Sequence, residues 1–208
     1  YTLSLHDALP IYISGQPLSV YYPSNSSQLT IIRATDSLPA VTTDAFRNCR
    51  NLTEIVIRSS LFDLGNVISF QGCKNLKTVS CPKETVLTLG IQTTAFSDTL
   101  WYQGEGFRII GRTLVKYNGD EEMIDSIPSY IGRIENGAFA SNETVKHIIL
   151  PDSVTEINMN AFNGCTGLVS CSLPSGLTEI GSCAFQGCEN LLCLDLPSGL
   201  LQQLGRQQ

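Results

Sequence analysis

The feature that most constrains this chain is a repeat of 23 residues. The dipeptide Ala-Phe stands at Ala138-Phe139, Ala161-Phe162 and Ala184-Phe185, 23 residues apart. It also stands at Ala45-Phe46 and Ala95-Phe96, with Ser69-Phe70 as a variant. A second marker, an apolar residue followed by proline, keeps the same period: Pro128, Pro151, Pro174 and Pro197 are 23 apart, and Pro82 lies 46 before Pro128. Two markers sharing one period predict short units that stack, because a unit this small cannot bury an apolar face alone.

One unit runs from Leu173 to Pro197. Its Leu191, Leu194 and Leu196 follow an L-x-x-L-x-L pattern, filled elsewhere by Leu168, Cys171, Leu173; Val145, Ile148, Leu150; Leu76, Val79, Cys81; and Leu52, Ile55, Ile57. The last two of each set alternate at period two, which predicts a half-buried strand. Proline then ends the strand, since it has no N–H for a ladder. A second short extended segment is predicted at Val154–Ile157 and Leu177–Ile180. After a turn comes Ala-Phe-x-Gly-Cys, read as one helical or 3₁₀ turn. Its phenylalanine plugs the space between coils, and Gly72, Gly164 and Gly187 take a left-handed position at its end. The predicted fold is a β-rich solenoid of stacked parallel strands with short helical or 3₁₀ turns, in about seven units over residues 29–208.

These residues resemble the BspA-like leucine-rich repeats. The shared features are LP-x-x-V/L-T-E-I, the Ala-Phe, the Gly-Cys and the L-x-x-L-x-L strand. The stretch Thr99–Gly119, TLWYQGEGFRIIGRTLVKYNG, is similar to an insert that recurs in the family, with Val115 in place of an aromatic and no Ala-Phe in that unit. It reads as a hairpin of Phe107–Ile110 and Thr113–Tyr117 around Gly111-Arg112. The resemblance implies a non-enzymatic repeat domain of a secreted or cell-surface protein that binds proteins or other cells. It brings no catalytic residues.

The ends of the chain read differently. Tyr1–Ile11 resembles a translated sequencing adapter, so residues 1–12 are set apart as a non-native segment, which removes His6. Residues 13–28 are an irregular lead-in, and 29–208 form the solenoid, with a hairpin-bearing insert at 97–127. A further repeat begins at Leu196 without a polar cap, so the chain is expected to be cut short within a longer protein.

Composition excludes other classes. Apolar residues are 42% and charged residues 15%, which does not fit a disordered tail. No apolar run approaches a membrane-spanning length. A net charge of −6 lacks the basic footprint of nucleic-acid or anionic-membrane binding.

Residues that could carry chemistry also have structural roles in the repeat. Cys49, Cys73, Cys165 and Cys188 each follow a column phenylalanine by three, which makes them a buried column of small thiols. A disulfide between neighbouring units stays open, because stacked equivalents would lie about 5 Å apart. No C-x-x-C pair occurs, so no metal site is expected. Cys193 should face the open side of the sheet. His147, between Val145 and Ile148, should face the same side. Asp36, Asp44, Asp63 and the run Asp120-Glu121-Glu122 read as solvated loops. Sequons occur at Asn25, Asn51 and Asn142, and Asn51 also belongs to a recurring Asn-Leu pair with Asn75 and Asn190, which suggests a turn role.

The functional expectation falls on the outward strand residues. One column runs Glu54, Thr78, His147, Ser170, Cys193, and the other Val56, Ser80, Ile149, Ser172, Asp195. A sheet displaying such columns is a platform for a large partner, a protein or cell-surface ligand, rather than a pocket for a cofactor. Thr78, Ser80, His147, Ile149, Ser170, Ser172 and Asp195 are the candidate contacts. Trp101 and Tyr102 are an alternative anchor or pack on the solenoid edge. The chain is read as monomeric and free of cofactors. Two rivals remain: a spacer arm of a larger surface protein, and an enzyme, which would need His147 beside an acid and a hydroxyl.

Overall fold

The computed structural model describes residues 11–13, 27–34, 46–58, 61–62, 70–87 and 95–200. His6, Asn25, Asp36, Asp44 and Asp63 lie outside them. The chain divides into two compact units, Tyr1–Gly104 and Glu105–Gln208.

In the first unit, β1 (Ile11–Ile13), β2 (Ile31–Ala34), β3 (Glu54–Ile57) and β5 (Thr78–Ser80) pair in parallel in that order; β4 (Leu61–Phe62) pairs in parallel with β6 (Val86–Leu87). β1 includes Ile11 and Tyr12, from the stretch set apart by its likeness to an adapter. The alternation behaves as the pattern requires: Ile55 and Ile57 are buried, while Glu54 and Val56 are half-buried. A short helix, α1 (Leu100–Gln103), is capped by Thr99, whose hydroxyl accepts from the Tyr102 amide at 3.1 Å.

The second unit carries two ladders. One runs β14 (Glu179–Ile180), β12 (Glu156–Ile157), β10 (Arg133–Ile134), β8 (Thr113–Tyr117), β7 (Phe107–Ile110); its strands are parallel except for the antiparallel β7–β8 hairpin. The other runs β13 (Ser170–Ser172), β11 (His147–Ile149), β9 (Met123–Ile124), all parallel, and Cys193 adds a bridge to Ser170. Each coil therefore contributes two strands, one from the L-x-x-L-x-L stretch and one from the T-E-I stretch.

Aromatic rings form the core of both units. Phe46, Phe70 and Phe96 stack with centroids 5.5 and 5.0 Å apart. In the second unit Phe139, Phe162 and Phe185 stack at 4.9 and 5.0 Å, so the three rings share one axis as the repeat requires. Tyr117 extends this column at 5.4 Å from Phe139, and Phe107 lies 5.0 Å from Tyr117. The hairpin thus supplies the ring that its coil lacks as an Ala-Phe. The backbone agrees: the Tyr117 amide donates to the Ala138 carbonyl, as Phe139 does to Ala161 and Phe162 to Ala184.

Polar side chains tie successive coils together. The amides of Asn51, Asn75 and Asn190 donate to the carbonyls of Ser27, Arg50 and Thr166, 24 or 25 residues earlier, at 2.7–2.8 Å. The recurring Asn-Leu pair is therefore a link between coils as well as a turn residue. Thr53, Thr155 and Thr178 donate their hydroxyls to Thr30, Gly132 and Thr155, 23 residues earlier. The threonine hydroxyls add a second donor to carbonyls that the backbone amides of Thr53, Thr155 and Thr178 already engage.

Two backbone positions in each regular coil are left-handed. Gly72, Gly164 and Gly187 follow the phenylalanine by two and have φ of +80°, +71° and +75°; Asn48 and Ser141 occupy the same place. A second set precedes the ring by two: Gly137, Asn160 and Cys183, with φ of +67°, +56° and +58°. Only glycine adopts this region without a steric penalty, and asparagine tolerates it better than serine or cysteine does.

Candidate functional site

The outward columns are built by the strand period of two. In the second unit His147 pairs with Ser170 and Ile149 with Ser172, while Ile148 and Cys171 between them are buried. Ser170 bridges to Cys193, and Asp195 stands two residues on, both exposed. In the first unit Glu54 pairs with Thr78 and Val56 with Ser80. The register also brings Met123 opposite His147, and Ile31 and Arg33 opposite Glu54 and Val56. Met123 escaped the sequence reading because it lies five residues before its proline, whereas Thr78, His147, Ser170 and Cys193 lie four before theirs. One inserted residue hides a strand member from a fixed-period search.

Exposure differs along the face. Met123 is 55% and Ile149 45% exposed, unusual values for large apolar side chains. Thr78, Ser80 and Ser172 are exposed; His147 and Ser170 are half-buried. The imidazole Nδ1 of His147 lies 2.9 Å from Ser170 Oγ. The neighbouring Glu122 and Lys146 form an ion pair at 2.6 Å.

The Trp101 side chain does not project from the surface. It is 6% exposed and packs edge-on against Phe96 at 5.1 Å, so it serves the core of the first unit. Tyr102 is half-buried, and burial pushes its phenol above the usual range. Of the two readings open for this aromatic pair, packing describes Trp101. Its position on a short helix gave no period from which burial was legible.

The thiols are interior groups. Cys73, Cys165 and Cys188 donate to the carbonyls of Phe46, Phe139 and Phe162, at 3.0, 3.0 and 3.2 Å. Burial pushes Cys165 and Cys171 up to about 12. Cys73 is raised as well, first by the thiol contact with Cys49 and then by burial. Among the described residues no disulfide is formed. Cys183 and Cys193 are the exceptions in placement: both are exposed, and Cys193 donates to Asp195 at 3.4 Å, which raises its pKa. Among the described residues no group of three His, Cys, Asp or Glu side chains is arranged to hold a metal.

An acid–base constellation is only half assembled. His147 has the hydroxyl of Ser170, but among the described residues no carboxylate reaches its ring. A polar cleft of about 500 Å³ lies elsewhere in the second unit, lined by Glu105, Asn118, Gly119, Asp120, Ser141, Asn142, Glu143 and Thr144. Among the described residues no helix is long and apolar enough to cross a membrane.

Known proteins share features with this chain. Three bacterial structures are similar. A leucine rich cell surface protein from Faecalibacterium prausnitzii is 19% identical, covering 82% of this chain and 68% of that one with a TM-score of 0.43. A leucine-rich repeat protein from Eubacterium ventriosum is 15% identical, covering 94% and 73% with a TM-score of 0.42. Another from Bacteroides ovatus is 22% identical with a TM-score of 0.32; it covers 93% of this chain, which spans 38% of that protein. No curated protein matches. The profile of the BspA type leucine rich repeat region matches residues 17–103 and 123–207 in six copies. The residue markers give about seven units; the coil closed by Tyr117 lies in the unmatched stretch. The chain belongs to the BspA-type leucine-rich-repeat family.

Proposed function

We propose that the chain is a non-enzymatic interaction module that binds a protein or cell-surface ligand across the open strand face. The observation that carries this reading is the in-register column of outward side chains, His147 with Ser170 and Ile149 with Ser172, displayed on a ladder whose inward residues are buried. Asp195 stands at the end of the second unit's columns, and the first unit by itself displays Thr78 and Ser80 in the same manner. Contacts along such a face add through length, so no single deep pocket is needed. Tyr102 stands as a peripheral contact, and Trp101 is left out because it is buried. The module acts as a monomer at a cell surface or outside the cell, the setting that goes with its family.

The test is a display selection of binders on the wild-type chain, repeated with Ile149→Arg and Ser172→Arg. Both variants keep the wild-type circular dichroism, and the dominant binders lose about tenfold or more in affinity, as expected for a charge placed inside an interface. Binders that all hold both variants as tightly as wild type rule out the open face.

A further inference from the structure

The thiol column of the second unit holds two cysteines that meet across adjacent coils. Cys165 and Cys188 each stand three residues after a stacked ring, Phe162 and Phe185, whose centroids are 5.0 Å apart with planes 9° from parallel. Both cysteines converge on one oxygen: the Phe162 carbonyl accepts the Cys165 amide at 3.1 Å and the Cys188 thiol at 3.2 Å. The backbones beside them are in contact. The Gly164 amide donates to the Gln186 carbonyl at 2.7 Å, and a Cβ on Gly187 would stand 3.3 Å from the Gly164 Cα. Coils this close hold equivalent Cα atoms about 5 Å apart, inside the span that a disulfide bridges. Access separates the two thiols. Cys165 is 1% exposed, whereas Cys188 is half-buried and so reachable from solvent. The first unit supplies a comparison. There the Phe46 carbonyl accepts the Cys49 amide at 3.3 Å and the Cys73 thiol at 3.0 Å, which is the same arrangement, but both thiols are fully buried.

We propose that Cys165 and Cys188 are a redox pair, which a small-molecule disulfide oxidises to a bond that fastens one coil to the next, with Cys188 as the entry thiol. The Cys188 thiol gives its proton to water, and its sulfur attacks one sulfur of the reagent. The reagent's S–S bond breaks, one half leaves as a thiolate that takes up a proton, and a mixed disulfide remains on Cys188. The Cys165 thiol then loses its proton and attacks the Cys188 Sγ, which breaks the mixed disulfide and releases the second half as a thiol. Two protein thiols are oxidised, and one reagent disulfide is reduced to two thiols. The second step is the slow one, because burial pushes the Cys165 thiol up to about 12 and only the thiolate attacks. The Cys49–Cys73 pair has no reachable thiol and stays reduced in the folded chain.

The experiment treats the folded full chain with hydroxyethyl disulfide and quenches with acid. The chain is then unfolded, its remaining thiols are alkylated, and it is cleaved after Glu156, Glu179 and Glu189, which parts the two cysteines. Mass spectrometry should find residues 157–179 joined to residues 180–189, lighter by two hydrogens, with Cys49 and Cys73 alkylated. The melting temperature of the oxidised chain rises by several degrees, and dithiothreitol reverses both changes. Cys165→Ala loses the join and keeps the reagent half on Cys188. Cys188→Ala leaves Cys165 unmodified, while Cys171→Ala and Cys183→Ala retain the join. A wild-type chain in which Cys165 and Cys188 both stay free, or in which Cys188 stops at the mixed disulfide, overturns the pair. So does a join that persists in Cys165→Ala. A join between Cys49 and Cys73 that forms in the folded chain overturns the role given to access.

Discussion

The two units solve the same stacking problem with different regularity. In the second unit the rings of Phe139, Phe162 and Phe185 are each 23 residues apart, and a four-strand parallel ladder runs from β8 through β10 and β12 to β14 beside the ladder of the open face. In the first unit Phe46, Phe70 and Phe96 are 24 and 26 apart, and the described counterpart of that ladder is the β4–β6 pair. Yet its rings stack as closely, at 5.5 and 5.0 Å. The ring column tolerates coils of unequal length. The second strand column is tied to motif as well. Where Thr155-Glu156-Ile157 and Thr178-Glu179-Ile180 recur, threonine hydroxyls reach back one coil and Arg133 pairs with Glu156 at 2.6 Å.

The faces differ too. The first unit presents Arg33, Glu54, Thr78 and Ser80 with Val56 between them, whereas the second presents Met123, His147, Ile149 and two serines. One is mixed in charge and polar; the other has an apolar centre.

The sharpest way to break this comparison is to remove a ring from each unit. Phe162→Ala and Phe70→Ala should each cost about 3–5 kcal/mol, since both rings are buried between two stacked neighbours. Denaturant melts of the two variants check it. A cost below about 1 kcal/mol in the first unit would show that its longer coils relax around the cavity, and that the shared ring geometry hides a real difference in packing.

A second test uses alkali. Burial holds the Cys165 and Cys171 thiols protonated up to about 12 in the folded second unit, while an unfolded chain loses those protons from 9.0 upward. A folded pKa above the unfolded one means that the stabilisation is complete below pH 9 and declines as pH rises towards 12. Melting temperature against pH should fall over that window. Replacing both thiols by alanine should flatten the fall while lowering stability at neutral pH.

The smallest effect expected is a gain. Cys183 holds φ of +58°, where Gly137 sits one place in the same series. Cys183→Gly should stabilise the second unit by about 0.5–1 kcal/mol if relief of the left-handed strain exceeds the entropy glycine adds to the unfolded chain. A thermal melt reads the sign directly, and a loss would show that the regular unit already absorbs the strain.

Much of this was legible in the residues because a repeat reports each position several times. The inward strand members, the ring column and the outward columns were all read from period. What escaped were positions that break the period or that unlike residues fill. Tyr117 joins the ring column from a strand rather than from an Ala-Phe turn, so no dipeptide marked it. Met123 was displaced by one residue. The left-handed set at Gly137, Asn160 and Cys183 went unseen because three different residue types fill it. Trp101 had no repeat equivalent from which burial was readable.

The asparagine links carry one more consequence. Asn51 heads a sequon, yet its side-chain nitrogen is already engaged with Ser27 in the finished molecule. An oligosaccharide attached to that nitrogen would have to share it with the contact that fastens one coil to the one before. Modification at Asn51 would therefore act as a clock: sugar would be added most readily before the loop is fastened, and its occupancy would record how slowly that region closes.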